Sequence, residues 1–375
     1  MSESSPSVIV VGGGVIGLSI AWVLAGRGYQ VRILEKSKIG QETSWSASGI
    51  LPPARFNGSD ESIDQLRGLS HQLYPKWAAD LHQACGIDVQ LDRVGGLYLA
   101  TTPGELASLV GLASFWEEQG IASEIVGSLE VAEREPVLSA ACDSGIVHSA
   151  LWAPDEYQIR PPRLLKALHA SGQSLGVQYV ENVRVEELRL KAQCVELHAE
   201  QQIFEAEHAV FCVGAWSSLM PWETPGLEVR SVVPVRGQIL RFETGKPLLQ
   251  HVVNVGNRYV VARRDGVTLV GSCEQEAGMD QSLDPTVEQE LLEFVRQIMP
   301  AMNRFDLADQ WTGLRPMTYD GYPMIGSVDA QRRVWVAGGH YRSGIHLAPA
   351  TAVCLADMLE GKAPPMPMDA FNPRA

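Results

Sequence analysis

Apolar residues follow two different patterns in the first 35 positions of the chain. Residues 8–11 are all β-branched, and after three glycines the apolar residues 16, 20, 23 and 24 recur at helical spacing. A second strand-like segment over residues 29–34 ends in Glu35. A short β-branched run favours a buried strand, whereas a spacing of three or four residues favours one face of a helix. The segment therefore predicts a strand, a helix and a second strand.

The same two patterns continue along the rest of the chain. Apolar residues at helical spacing predict helices over residues 62–85, 103–119, 128–134, 161–175, 285–299 and 344–360. Short β-rich segments predict strands within 87–101, 144–159, 177–179, 183–188, 209–218 and 334–340, and a hairpin-like pair over 189–207. The β-rich runs of residues 229–273 predict an antiparallel block. We expect the buried strand within 209–218 to join the same sheet as the first strand.

Pieces of one α/β domain thus stand at the start, the middle and the end of the sequence, with the antiparallel block inserted between them. The chain has 375 residues, which is more than one compact core usually organises. We therefore predict two domains. Residues 1–86, 150–225 and 306–375 form the first, and residues 87–149 and 226–305 form the second.

The charge and the composition of the chain exclude some classes of binding partner. The formal net charge of −14 argues against nucleic acid and anionic membranes, because both are themselves negatively charged. No apolar run reaches the roughly 18 residues of a membrane helix, and the polar first residues lack the features of a signal peptide. The six cysteines are scattered without a C-x-x-C pair, which indicates reduced residues, no metal site and a cytoplasmic protein.

Gly12, Gly14 and Gly17 form the pattern G-x-G-x-x-G at the turn from the first strand into the first helix. Glycines at these positions permit the turn, the approach of a pyrophosphate and the close packing of helix on strand. Glu35 stands 18 residues after Gly17, near the position of an acid that binds a ribose hydroxyl. The pattern predicts a dinucleotide site, and the alternative is a glycine-rich turn without a ligand.

Two further segments have the character of a ligand site. Residues 40–53 are a long polar loop, of a kind that is more often functional than idle beside a nucleotide site. Residues 336–347 give a strand, two glycines, a polar stretch with Arg342 and then a helix. This arrangement delivers a second helix N-terminus to an anion, although a plain strand–turn–helix connection is the alternative.

Five motifs occur together and in a fixed order: the glycine pattern with Glu35, TSWSASGIL, FCVGAWS, GLRPMTYDGYPMIG and AGGHYRSGIHLAPATA. The combination spans nearly the whole chain and resembles the FAD-dependent D-amino-acid oxidase superfamily, most closely the bacterial glycine oxidases linked to thiamine synthesis. The resemblance implies an α/β fold, α+β overall. It would consist of a Rossmann-like FAD-binding domain of the glutathione-reductase type and an inserted, mainly antiparallel β-sheet substrate domain.

The resemblance also implies which residues hold FAD. Glu35 would bind the adenosine ribose, Val185 would touch the adenine side, and Gly214 with Trp216 would close over the dinucleotide. The other residues implied are Gly12, Gly14, Val15, Ile16, Gly17, Lys36, Thr43, Ser44, Ser48, Gly49, Ile50, Gly339, His340, Tyr341, Arg342, Ser343, Gly344 and Ile345. The cysteine that attaches flavin covalently in the sarcosine oxidase branch has no counterpart at residues 315–326, so we expect FAD to be held non-covalently.

Three residues match substrate-binding positions of the family. Arg315 would pair with the substrate carboxylate through a planar two-bond fork, Tyr259 would help to hold that carboxylate, and Arg342 is a further arginine near the site. The chain departs from the family at Asn257, where a close relative has histidine, and at Glu274, where it has methionine. The Glu274 carboxylate faces either the substrate amine or solvent, and the sequence leaves both alternatives open.

The reaction that the resemblance implies is oxidation of glycine or a similar small amino acid or amine, such as sarcosine or a small D-amino acid. The products would be the oxo acid, ammonia and hydrogen peroxide, with hydride transfer from the α-carbon to flavin N5 and molecular oxygen as acceptor. Two alternatives stay open: a flavin dehydrogenase of D-amino or 2-hydroxy acids that uses a quinone or carrier, and a non-catalytic FAD-binding protein. The sequence predicts no membrane partner and is compatible with a homo-oligomer.

Overall fold

A computed structural model describes residues 5–200, 202–220 and 232–373. The helices are α1 (Val15–Gly26), α2 (Ser62–Cys85), α3 (Pro103–Glu118), α4 (Ser128–Arg134), α5 (Ser139–Asp143), α6 (Pro161–Ser174), α7 (Pro285–Ile298) and α8 (Gly344–Leu359). The strands are β1 (Ser7–Val11), β2 (Gln30–Glu35), β3 (Ile50–Leu51), β4 (Asp92–Arg93), β5 (Gly96–Ala100), β6 (Glu124–Gly127), β7 (Ser149–Ala153), β8 (Tyr157–Gln158), β9 (Gln178–Glu181), β10 (Glu187–Leu190), β11 (Val195–Ala199), β12 (Gln202–Ala206), β13 (His208–Phe211), β14 (Val232–Glu243), β15 (Val252–Val255), β16 (Arg258–Ala262), β17 (Val267–Gly271), β18 (Leu307–Thr318), β19 (Met324–Ser327) and β20 (Val334–Gly338).

A six-stranded sheet carries the glycine pattern. Its strand order is β19-β20-β13-β1-β2-β9, and among its described strands β19 alone runs antiparallel to its neighbour. The pairing of β1 with β13 confirms that the strand within 209–218 joins the sheet of the first strand. This mainly parallel sheet with helical connections is the Rossmann-like part of the predicted α/β fold.

The β-branched run of β1 is apolar throughout because the sheet is covered on both faces. Val8 and Val10 pack in a core with α1, α2, α6 and α8. Ile9 and Val11 face the opposite side and pack against the small antiparallel sheet β10-β11-β12. The nucleotide-binding fold therefore has three layers: helices, parallel sheet and antiparallel sheet.

A second, eight-stranded sheet has the order β18-β14-β17-β16-β15-β5-β7-β6. Its pairs are antiparallel except for β15 with β5, so the predicted antiparallel block is confirmed for the described part of residues 229–273. Helix α7 packs with one face of this sheet in a core of its own. The opposite face carries Tyr98, Asn254 and Tyr259 and is turned towards the six-stranded sheet.

Several predicted strands differ from the structure in length. The strand within 209–218 ends at Phe211 and gives way to a 3₁₀ turn over Gly214–Leu219, which begins with Gly214 at φ +56°. The strand predicted at 183–188 is wrong over residues 183–186: Asn182, at φ +60°, follows the end of β9, and the chain re-enters a sheet only at Glu187. A left-handed residue turns the backbone out of the sheet, and the apolar character of residues 183 and 185 gives no sign of it.

The predicted division into two domains stays a prediction. Strands β7 and β18, which it places in the nucleotide-binding part, lie in the eight-stranded sheet. The predicted boundary at 225–226 and the start of the predicted run at 229 lie outside the described residues. None of the described helices has the length and apolar character needed to cross a membrane.

Candidate active site

A cavity of about 790 Å³ lies between the two large sheets. On one side it follows the carboxyl ends of β1, β2, β13 and β20, which is the edge where ligands bind in open α/β sheets. On the other side it is lined by the exposed face of the eight-stranded sheet, including Tyr259 and Arg315. The cavity thus joins a glycine-rich end to a wall of larger polar side chains.

The G-x-G-x-x-G turn is packed too tightly for any residue with a side chain at two of its positions. Gly12 has φ +107°, and a Cβ there would lie 2.5 Å from the carbonyl oxygen of Cys212. A Cβ on Gly17 would overlap the carbonyl oxygen of Gly12. These two contacts hold the start of α1 directly against the ends of β1 and β13.

The N-terminus of α1 opens into this end of the cavity. The first hydrogen bond within the helix runs from the Leu18 N–H to the Gly14 oxygen at 2.9 Å, so the N–H groups of residues 15–17 precede it. The Ser44 hydroxyl accepts from the Val15 N–H at 3.0 Å. N–H groups that have no acceptor within the helix, together with the helix dipole, favour an anion at this point. The turn and the helix end fit the pyrophosphate of a dinucleotide.

Glu35 ends β2 beside the glycine turn and is buried. One carboxylate oxygen accepts from the Gly13 N–H at 2.7 Å, and the other accepts from the Ser37 N–H at 2.9 Å. The second of these oxygens also accepts from the Ser37 hydroxyl at 3.1 Å, which leaves a free lone pair on the oxygen that faces Gly13, and Glu35 lines the cavity. The carboxylate is therefore fixed in place with acceptor capacity left for ribose hydroxyls.

The polar loop that follows β2 is clamped between the two sheets. The Thr43 hydroxyl donates to the Leu314 oxygen at 2.7 Å, and the Trp311 Nε1–H donates to the Ser46 oxygen at 3.1 Å. The buried Arg263 donates to the Ser48 oxygen, and burial lowers the pKa of this guanidinium to about 10. The loop that the sequence marked as a ligand loop is thus held by two side chains and one backbone carbonyl of the eight-stranded sheet or its connections. Arg263 had no sequence signal, because its partner lies 215 residues away.

The second glycine cluster brings another helix N-terminus to the same cavity. Gly339 has φ +78°, and a Cβ there would overlap the Thr318 side chain. The buried His340 places Nε2 at 3.0 Å from the Thr351 hydroxyl, and burial lowers its pKa to about 3, so the ring is neutral. Helix α8 then begins at Gly344, which lines the cavity.

The wall formed by the eight-stranded sheet contains a row of directly paired residues. Tyr98, Asn254, Tyr259, Gly271, Ile239 and Trp311 follow one another across β5, β15, β16, β17, β14 and β18. A Cβ on Gly271 would lie 2.5 Å from the Tyr259 ring, and a Cβ on Gly237 would overlap the Arg315 guanidinium. The two glycines let these large polar side chains lie flat on the sheet.

Arg315 is held by two acceptors that carry no charge. Its Nη1 donates to the Cys273 oxygen at 2.9 Å, and its Nη2 donates to the Ser272 hydroxyl at 2.6 Å. No carboxylate pairs with Arg315 in the part of the chain that the structure describes. A half-buried guanidinium without a counter-ion has the charge and geometry to bind a carboxylate.

Arg342 lines the same cavity but is paired. Its Nη1 lies 2.8 Å from Glu274 Oε1, with the two side chains 42% and 34% exposed. Burial and the Glu274 carboxylate raise the pKa of the neighbouring Tyr341 hydroxyl. Of the two alternatives left open for Glu274, the structure favours the solvent-facing one, because the residue is exposed and does not line the cavity, and its carboxylate forms an ion pair with Arg342. Asn257 is exposed and is not among the residues that line the cavity.

The structure gathers nearly all predicted site residues around the one cavity. Gly17 and Gly49 are the two that lie behind its surface, where each packs against a backbone carbonyl. The residues that do line it are Gly12, Gly14, Val15, Ile16, Glu35, Lys36, Thr43, Ser44, Ser48, Ile50, Val185, Gly214, Trp216, Tyr259, Arg315, Gly339, His340, Tyr341, Arg342, Ser343, Gly344 and Ile345. Lys36 lies over the Trp216 ring at 3.5 Å from its centre. Among the described residues, no group of three or more His, Cys, Asp or Glu is arranged to hold a metal.

Sequence reasoning missed a buried polar group at the far end of the row. Glu156 accepts hydrogen bonds from the Tyr98 hydroxyl and, at 3.2 Å, from the Asn254 amide. Burial raises the pKa of this carboxyl to about 7, against the opposing effect of the two hydrogen bonds. An acidic residue inside the strand-like segment 144–159 is the sequence signal that was available.

Comparison with known proteins gives a consistent result. The sequence pattern of the family described as "FAD dependent oxidoreductase" (DAO) matches residues 7–358. The chain is 32% identical to the glycine oxidase of Geobacillus kaustophilus over 95% of this chain and 93% of that protein. It is 31% identical to the glycine oxidase of Pseudomonas putida over 96% of each. The crystal structure of the Geobacillus kaustophilus glycine oxidase superposes with a TM-score of 0.90, at 31% identity, over 98% of this chain and 99% of that one.

Proposed function

The chain belongs to the FAD-dependent oxidoreductase (DAO) family and is an FAD-dependent amino-acid oxidase, and on that basis we propose that it oxidises glycine or a similarly small amino acid or amine. The proposed products are the oxo acid, ammonia and hydrogen peroxide. The observation that carries the proposal is the Arg315 guanidinium in the cavity wall, which has no carboxylate partner among the described residues. The relatives that match over nearly the whole chain are glycine oxidases.

The residues around the glycine turn would hold the cofactor. Glu35 would accept from the ribose hydroxyls of FAD, and the N–H groups at the start of α1 would face its pyrophosphate. The N-terminus of α8 would supply positive potential to the other end of the cavity. Bound FAD supplies the acceptor for the hydride that leaves the substrate.

Arg315 would fix the substrate by its carboxylate. Two of the guanidinium nitrogens are already held by Cys273 and Ser272, so the plane of the group is set before a ligand arrives. A preset plane lowers the entropy lost when a carboxylate forms its two hydrogen bonds. The Tyr259 hydroxyl, on a neighbouring part of the same wall, would act as an additional donor to that carboxylate. Together the two groups would orient the α-carbon for hydride transfer.

The test is a peroxide-release screen of the purified yellow protein. We expect hydrogen peroxide with glycine, sarcosine or small D-amino acids and none with 2-hydroxy acids. The flavin should leave the chain on denaturation with acid. Absence of FAD, or no reduction of the flavin by any amino acid under anaerobic conditions, would contradict the proposal.

The same screen distinguishes the proposed oxidase from the dehydrogenase alternative. A dehydrogenase would also lose its flavin absorbance with substrate in the absence of oxygen. It would then be reoxidised slowly by oxygen and rapidly by a soluble quinone. Rapid reoxidation by oxygen, with one peroxide formed per substrate consumed, would support the oxidase.

A further inference from the structure

Four arginines line the cavity, at positions 67, 184, 315 and 342. Two of them, Arg315 and Arg342, contact the same short segment but differ in their charged partners. Arg342 forms an ion pair with Glu274, with 2.8 Å between Nη1 and Oε1. Arg315 has two neutral acceptors and, within the described residues, no carboxylate partner. Of these two guanidinium groups, one therefore has a carboxylate counter-ion and the other has none.

A single short segment after β17 determines this difference. Ser272 and Cys273 hold Arg315, and the next residue, Glu274, pairs with Arg342. The segment is fixed at its far side, where Gln275 exchanges two backbone hydrogen bonds with Arg236, at 2.8 and 3.1 Å. Glu274 thus stands at a defined place between the two arginines.

Tyr341 strengthens the placement of the Glu274 carboxylate. Its hydroxyl interacts with Glu274, and burial together with that carboxylate raises the pKa of the hydroxyl, so it stays a neutral donor. Tyr341 itself lines the cavity and directly precedes Arg342. The carboxylate is held by a charged and a neutral partner on the same turn.

We propose that Glu274 is a specificity-determining residue, which neutralises Arg342 and so restricts the site to substrates with a single carboxylate. The proposal rests on the proposed function, because it assumes that Arg315 receives that carboxylate. A second carboxylate on the substrate would have to displace Glu274 from Arg342 or lie beside it. Either arrangement places like charges together, which disfavours the ligand without any loss of contact to a monocarboxylate.

The experiment compares substrates and ligands that differ by one carboxylate. Glu274→Gln keeps the size and the acceptor for Tyr341 but removes the charge, and Glu274→Met removes the acceptor as well. For each holoenzyme, the ratio of kcat/KM for iminodiacetate to that for sarcosine is measured. The ratio of dissociation constants for acetate and malonate, followed by the change in flavin absorbance, gives a readout that is independent of turnover.

We expect both ratios to shift towards the dicarboxylate by about tenfold or more in Glu274→Gln, the scale expected for removing one like-charge contact. The double variant Glu274→Gln with Arg342→Gln should lose that gain, because the unmasked guanidinium is what receives the second carboxylate. Glu276→Gln, an exposed position two residues away, is the matched control and should leave both ratios unchanged.

Unchanged ratios in both Glu274 variants would overturn the proposal. So would a gain for malonate that survives in the double variant, since Arg342 would then not be its cause. If the wild-type protein oxidises no amino acid, the proposed function fails, and the acetate and malonate constants still decide the role of Glu274.

Discussion

Both ends of the cavity contain a glycine at which a Cβ would overlap a neighbouring group. The two ends differ in whether that group is backbone or side chain. At the nucleotide end, the space above Gly17 is filled by the carbonyl oxygen of Gly12, which belongs to the backbone. At the substrate wall, the space above Gly237 is filled by the tip of the Arg315 side chain. Backbone cannot move without moving β1 and α1, whereas a side-chain tip can rotate away. The nucleotide end is therefore rigid, and the substrate wall can adjust at the expense of ligand affinity.

The largest effect is expected from Gly17→Ala. The new Cβ overlaps the Gly12 carbonyl oxygen, so α1 must shift away from β1 and the pyrophosphate site must open. We expect a loss of stability of about 3 kcal/mol or more and at least a hundredfold weaker binding of FAD, or about 2.7 kcal/mol. Thermal unfolding and FAD titration of the apoprotein measure the two effects.

Gly26→Ala is the control in the same helix, since a Cβ there meets nothing within 4 Å. It should leave FAD affinity unchanged. Normal FAD binding by Gly17→Ala would show that the nucleotide end is not rigid and would remove the basis of the comparison.

The next largest effect is expected from Arg315→Leu. Removal of the unpaired guanidinium should weaken carboxylate binding by about 2–5 kcal/mol, the cost seen when one partner of a buried charge pair is removed. FAD should stay bound, because no part of the glycine turn contacts this side chain. Steady-state kinetics with the best substrate of the screen and the FAD content of the variant measure this.

Arg315→Lys gives the finer distinction. An ammonium group keeps the charge but loses the planar fork, so we expect only partial recovery of carboxylate affinity. A near-normal KM and rate for Arg315→Leu would show that another group anchors the carboxylate.

Glu156→Gln tests whether the buried carboxyl at the far end of the wall makes the stability of the protein depend on pH. Burial raises the pKa of Glu156 from 4.5 to about 7, so the folded protein keeps a proton that the unfolded chain releases. The wild-type protein should therefore lose up to about 3 kcal/mol of stability as the pH rises from about 4.5 to about 7. Glutamine does not titrate, so the free energy of unfolding of the variant, relative to wild type, should increase over that range.

Urea unfolding at about pH 5 and about pH 8 measures this difference, with Glu276→Gln at the surface as the control. A difference between variant and wild type that does not change with pH would show that Glu156 is ionised at both values. Its hydrogen bonds from Tyr98 and Asn254 would then outweigh its burial.

The same contrast between the two ends explains what the sequence could predict. Gly12, Gly17 and Glu35 belong to one strand–helix–strand unit, and the contacts of Gly17 and Glu35 lie within it, so their spacing alone indicated a dinucleotide site. Arg263 and Glu156 contact residues that only the pairing of distant strands brings near. An acidic residue in a strand-like segment was a signal for Glu156, but no local pattern indicated the partners of either residue. Arg315 and Tyr259 were found by family resemblance, and their assignment to the substrate stays a prediction. The strand predicted at 183–188 begins too early because the left-handed residue Asn182 turns the backbone out of the sheet, while Val183 and Val185 alternate with polar residues as they would in a strand.

The smallest effect, and the sharpest test of the comparison, is expected from Gly237→Ala. The new methyl group overlaps the Arg315 guanidinium, which can rotate away and lose its hydrogen bonds to Ser272 and Cys273. We expect normal FAD content and stability close to wild type, with carboxylate affinity reduced by about 1–2 kcal/mol, the value of one or two displaced hydrogen bonds to a charged group. Acetate titration and thermal unfolding measure this.

Gly127→Ala, in the edge strand of the same sheet where a Cβ meets nothing within 4 Å, is the matched control. Loss of FAD or of the fold in Gly237→Ala would show that the substrate wall is as rigid as the glycine turn. The same alanine would then have the same consequence at both ends of the cavity.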